Sequence, residues 1–160
     1  HLGVRRQRQM CIRDRYGNIY IERDLIIMLI LSVAIFSIML FYSLVIAVNV
    51  HKTLDRENAG KLLRVLFPSY FLTTAILSFT ALVFSLIEKN FISTILLLLI
   101  FLGSIISRQY LVPRINKERD LQLSGDETSK KNFAKLHGLS VSINIIQIII
   151  LVIIIITNWQ

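Results

Sequence analysis

A chain of 160 residues, 54% of them hydrophobic, with a formal charge of +8, would as a soluble domain intersperse its charges with apolar residues at period 2 or 3.6. Here the charges gather in an N-terminal arm and in residues 52–64, 88–89 and 108–135. The uncharged runs between them suffice for the about 20 helical residues that cross a hydrocarbon core. The single cysteine, Cys11, excludes an internal disulfide and any multi-cysteine metal site.

The chain starts at His1, and residues 6–15, R-Q-R-Q-M-C-I-R-D-R, read as translated adapter sequence joined to the reading frame. Residues 1–16 are therefore expected to be a non-native or disordered arm, and 17–160 a single four-span transmembrane domain. The competing reading is a native basic arm at the membrane surface. Neither reading makes it a nucleic-acid site.

The first span covers about residues 25–50, too long for a signal-peptide core and without a small-x-small cleavage site after it. Ser43 and Ala47, small residues four apart, predict a close helix contact. In residues 51–68, H-K-T-L-D-R-E-N-A-G-K-L-L-R-V-L-F-P, Asp55 is the expected N-cap of a separate amphipathic helix in the headgroup layer. Pro68 then suits the first turn of the second span, 69–87, or a kink leading into it. Thr74, Ser78, Ala81 and Ser85 lie within about 60° of one face and predict a packed seam. Glu88, Lys89 and Asn90 form a tight turn, making spans two and three antiparallel neighbours.

Span three, about residues 91–112, is leucine-rich, with Gly103 and Ser107 in small-xxx-small spacing. Arg108 and Tyr110 mark an interface, and Pro113 is expected to break or kink the helix. Arg114 and Glu118 have the spacing of an i,i+4 ion pair. Ser124 and Glu127 have capping-box spacing, predicting a helix that continues into span four, 137–157. The β propensity of I-I-I-L-V-I-I-I-I yields to the uncharged length. On this last helix His137, Ser140, Asn144 and Gln147 fall within roughly 80° of one face, a polar stripe that other helices must cover.

The fold expected is an all-α, integral membrane four-helix bundle with basic amphipathic loop helices on its cytoplasmic side. Four spans put both basic loops on one side, cytoplasmic by the positive-inside rule, in the bacterial inner membrane with both termini periplasmic. Tyr70 and Tyr110 would then sit at the inner interface and Trp159 at the outer.

Three stretches in order, L-F-P-S-Y-F (residues 66–71), Y-L-V-P-R-I-N-K-E-R-D (110–120) and F-A-K-L-H-G-L-S-V-S-I-N (133–144), resemble the domain-of-unknown-function family numbered 4149. T-L-D-R-E-N-A-G (53–60) also fits that family's first loop. The family is similar to eukaryotic transmembrane protein 205, and this chain looks like a bacterial-type member. The resemblance implies a four-span membrane protein and carries no settled activity.

His137 admits two readings: a haem or metal ligand or proton carrier, or an interfacial histidine that fixes packing. The second is preferred, because a ligand site needs further ligands. His51 would lie on the same side. Asn144 and Gln147 either line a solute path or serve as interhelical glue, which averages about 0.6 kcal/mol per bond. Arg108, Arg114, Asn116, Arg119 and Asp120 either bind an anionic headgroup or substrate, or simply set topology. Pro68 and Tyr70 mark a helix entry.

No span carries Asp or Glu, and no Gly-rich phosphate loop, nucleophile elbow or H-E-x-x-H is present, so hydrolase and ATPase chemistry are not indicated. A non-enzymatic bundle without a cofactor is expected: a small transporter, assembly factor or scaffold. The alternative is a haem- or metal-linked redox protein using His137. The expected partners are the lipid bilayer, anionic headgroups and either a second copy or another membrane protein.

Overall fold

The computed structural model describes residues 23–159, apart from the Arg56 side chain. The expectations for residues 1–16 and Cys11 lie outside the described residues. Four helices follow in chain order: α1 (Arg23–Thr53), α2 (Arg56–Ile87), α3 (Phe91–Leu123) and α4 (Glu127–Asn158). All are joined by short turns, so successive helices run antiparallel. At about 1.5 Å per residue such helices are nearly 50 Å long, against a hydrocarbon core of about 30 Å. The excess length carries the basic residues beyond the apolar zone at one end.

Capping residues explain where α2, α3 and α4 start. Asp55 Oδ2 accepts from the Asn58 amide (3.4 Å), Asn90 Oδ1 from the Ser93 amide (3.1 Å), and Asp126 Oδ1 from the Thr128 amide (2.9 Å). These bonds favour the ionised acids: Asn58 holds Asp55 below the usual carboxylate range, and Ser129 with the Thr128 amide does the same for Asp126. Helix ends are equally defined. Lys89 and Gly125 take positive φ (56° and 96°), letting the Asn90 amide reach back to Ser85 O and the Asp126 amide to Leu121 O, both at 3.1 Å.

The core runs through all four helices, with Met28, Ile35 and Met39 of α1 meeting Phe71, Ala81 and Leu82 of α2. Leu97 and Ile100 of α3, and Leu151 and Ile154 of α4, complete it. The Thr74/Ser78/Ala81/Ser85 seam is buried, and Thr74 Oγ1 donates to Ser104 Oγ across α2 and α3 (3.3 Å). Outward faces are apolar too, including Ile30 (61% exposed), Val65 (69%) and Ile92 (71%). Large apolar side chains inside and outside alike are what a lipid solvent permits. The chain is a multi-pass integral membrane protein with an all-α four-helix bundle.

Several local expectations are corrected. The basic segment after Asp55 is not a separate headgroup helix but the first part of α2, and Pro68 lies inside that helix. A proline there removes only the bond to the Arg64 carbonyl, near the polar end where other partners exist. Pro113 does not break α3, because a π-helical turn at Ser107–Leu111 immediately precedes it and shifts the register. A second π turn, Tyr42–Ile46, interrupts α1. Ser124 caps nothing at the start of α4. It ends α3 and donates to Leu121 O (2.7 Å), leaving the N-cap to Asp126. Among the described residues Arg114 and Glu118 form no ion pair; Arg64 of α2 instead pairs with Asp120 of α3. Tyr70 is 6% exposed and packs inside the bundle, whereas Tyr110 (60%) and Trp159 (75%) are exposed; burial does not bear on their level in the membrane.

Candidate functional site

Each helix sends one stripe of side chains at i, i+3 and i+4 spacing toward a common cavity of about 490 Å³ in the half of the bundle near the basic end. The α1 stripe includes Leu40, Ser43, Leu44, Ala47 and His51. The α2 stripe is Leu63, Phe67, Tyr70 and Phe71, and the α3 stripe Val112, Ile115, Asn116 and Arg119. From α4 come Phe133, His137, Ser140, Val141, Asn144, Ile145 and Ile148. The volume is that of a small-molecule pocket, which spans about 300–1,000 Å³.

The walls are graded along the bundle axis. Leu40, Phe71 and Ile148 sit furthest from the basic end, where the lining is hydrocarbon. A polar belt follows: Asn144 Nδ2 donates to the Tyr70 hydroxyl (2.6 Å), and Ser43 Oγ donates to Asn144 Oδ1 (3.3 Å), joining α1, α2 and α4. Tyr42 stacks on Tyr70 with centroids 4.3 Å apart, and its own hydroxyl is buried without a hydrogen-bond partner among the described residues. Both π turns lie at this level, Tyr42–Ile46 in the cavity wall and Ser107–Leu111 just before Val112.

The cationic end comes last. The Arg119 guanidinium lies 5.3 Å from the Phe133 ring, and His137 stacks on the same ring with centroids 5.8 Å and planes 6° apart. Arg119 Nη1 reaches the Gly60 carbonyl at 3.5 Å, a marginal bond. A side chain on Gly60 would come within 3.3 Å of the guanidinium, so the glycine gives Arg119 its room. Arg119 is half-buried, and among the described residues no carboxylate stands within ion-pair distance of it.

The residues singled out from sequence separate here. His137, Ser140 and Asn144 line the cavity, as do Asn116, Arg119 and Tyr70. Gln147 does not: it is 3% exposed and packs on α3, its Nε2 donating to Ile100 O (2.8 Å) and Ser104 Oγ (3.3 Å) beside Gly103. Arg114 and Asp120 are exposed outside the cavity, and Arg108 and Pro68 are not part of its lining. Sequence reasoning missed Tyr42, Phe133 and Phe67, because an aromatic in an apolar span gives no signal apart from core packing. Among the described residues no three His, Cys, Asp or Glu side chains are grouped to hold a metal ion.

Four apolar spans beside a laterally open cavity graded from hydrocarbon to cation define a polytopic membrane protein with an amphipathic cavity. The chain belongs to the family described as a domain of unknown function (DUF4149), whose family model matches residues 30–122. The match takes in the motifs at 66–71 and 110–120 and stops before 133–144. No curated protein and no solved structure matches the chain.

Proposed function

We propose that this is a non-enzymatic protein of the bacterial inner membrane that holds one small apolar or amphiphilic molecule in its cavity, as a small transporter or assembly factor would. The observation that carries this is the cavity itself, whose lining is drawn from all four helices and is mostly hydrocarbon. The cavity opens at its side, where Leu44, Val141 and Ile145 line it and are still 66%, 42% and 52% exposed, so an apolar molecule can enter its volume of about 490 Å³ from the lipid. The basic end is cytoplasmic in this reading. From Arg23 onward eleven Lys and Arg lie at that end and two, Arg23 and Lys89, at the other, the bias that orients spans. The α2–α3 turn and both outer helix ends are then periplasmic. The three ordered motifs support kinship with eukaryotic transmembrane protein 205.

The test is mass spectrometry of small molecules that co-purify with the full chain in mild detergent. The expected result is a near-stoichiometric occupant that is lost in Ala47→Phe and Ser140→Phe, which fill the cavity from α1 and α4. No occupant in the parent protein, or one retained by both variants, overturns the reading. A Soret band removed by His137→Ala would make the site a haem site instead.

A further inference from the structure

Among the described residues no carboxylate forms an ion pair with Arg119, which feels Asp120 only at a distance and is repelled by Arg64. Its helix neighbour Asp120 faces away to Arg64, and among the described residues the guanidinium's contacts are the Phe133 ring and one marginal carbonyl. A half-buried cation without a counterion is costly, and proteins that keep one usually supply it with an anion. The surrounding groups are suited to an anion as well. Asn116, His51 and His137 converge on the same end of the cavity from three different helices, each bearing an N–H donor. Beyond them the lining turns apolar through Val112, Phe71 and Ile148. Phe133 and Ile148 are fifteen residues apart on α4, about 22 Å at the helical rise, enough to hold an extended hydrocarbon chain below a headgroup.

We propose that the cavity binds an anionic membrane lipid, with its phosphate on Arg119 and one acyl chain in the apolar part. This rests on the proposal above that the cavity is occupied, and specifies the chemistry of the occupant. A guanidinium fork fits a phosphate in two-point contact, which distinguishes it from a lysine ammonium. The basic end of the bundle lies at a headgroup layer, so the phosphate needs no unusual depth. The acyl chain enters beside the Tyr42–Ile46 turn, where α1 and α4 are joined only by the Ser43–Asn144 bond among the hydrogen bonds described.

The experiment uses the full chain, delipidated in detergent and titrated with phosphatidylglycerol, phosphatidylcholine or inorganic phosphate. Thermal unfolding and native mass spectrometry give stability and the number of lipids bound. The parent protein should bind one phosphatidylglycerol at least tenfold more tightly than phosphatidylcholine, and inorganic phosphate should not replace it. Arg119→Gln should erase that preference, Arg119→Lys should restore only part of it, and Arg114→Gln, the same charge removed from an exposed position of α3, should leave it intact. Ala47→Phe should weaken both lipids.

Equal loss in Arg114→Gln and Arg119→Gln would mean general surface charge and overturn the proposal. So would full competition by inorganic phosphate, or unchanged binding in Ala47→Phe. If the parent protein retains a neutral molecule that Ala47→Phe expels, yet shows no preference for phosphatidylglycerol, the occupied cavity stands and the anionic ligand falls.

Discussion

Gly103→Ala tests the packing of α3 against α4 where Gln147 bridges them. A Cβ on residue 103 would stand 2.7 Å from Gln147 Nε2, 3.4 Å from its Cδ and 3.6 Å from the Ile143 methyl. The nearest atom is the far end of a flexible side chain, so the overlap itself is relieved by rotating the amide away. The cost is what the rotation breaks. Gln147 Nε2 then loses Ile100 O and Ser104 Oγ, two interhelical bonds of about 0.6 kcal/mol each on average in membranes. A displaced amide that finds no new partner adds about 1–3 kcal/mol. Gly103→Ala should therefore destabilise by about 1–3 kcal/mol in reversible detergent unfolding. In a Gln147→Ala background, where no amide is left to displace, it should cost under about 0.5 kcal/mol, giving a coupling energy above about 1 kcal/mol. A penalty of the same size in both backgrounds would refute the reasoning, since the alanine would then be colliding with something other than Gln147.

Asn144→Leu should lower stability by about 1–3 kcal/mol, because it removes the bonds to Tyr70 and Ser43 in a partly buried site; Ile149→Leu, on the outward face, should matter little. A variant at 144 as stable as the parent would remove the amide from the account of packing. Burial, and secondarily the charge of Asp24, raise the Glu88 carboxyl above the ordinary glutamate range. The folded state thus binds the proton more tightly than the unfolded chain, and stability is lost as pH rises from the unfolded value through the folded one. Glu88→Gln should accordingly raise the unfolding temperature at pH 7 and leave it unchanged below about pH 4; a destabilised variant at pH 7 would contradict the sign. In a Cys11→Ser background, an impermeant thiol reagent applied to intact cells should label Lys89→Cys and spare Leu54→Cys and Ser124→Cys. Labelling of the latter two would reverse the orientation.

The spans were legible because lipid demands uncharged length, and the charges are confined to four stretches. Asp55 as a cap and the Thr74–Ser85 seam were legible for local reasons: a short acid before a helical pattern, and small residues on one face. Helix boundaries were harder to read. Residues 56–68 and 112–123 have helix-compatible composition, so nothing local separates an interfacial helix from a span that runs on into water. The π turns have no clear sequence signature. The charged motif divided for a reason invisible along the chain: Asp120 turns to Arg64 on another helix, which leaves Arg119 beside the cavity with no ion pair among the described residues. Gln147 faces the bundle interior as its stripe requires, but on α3 and not in the cavity, because Gly103 opens a place for it there.

The most direct test of the central claim is an experimental structure of the full chain crystallised from a lipid mesophase. Elongated density should run from the Arg119 guanidinium past Asn144 to Ile148, with its polar end among His51, Asn116 and His137. A cavity closed by α1 packing onto α4, with Arg119 paired to a carboxylate of the chain itself, would contradict it.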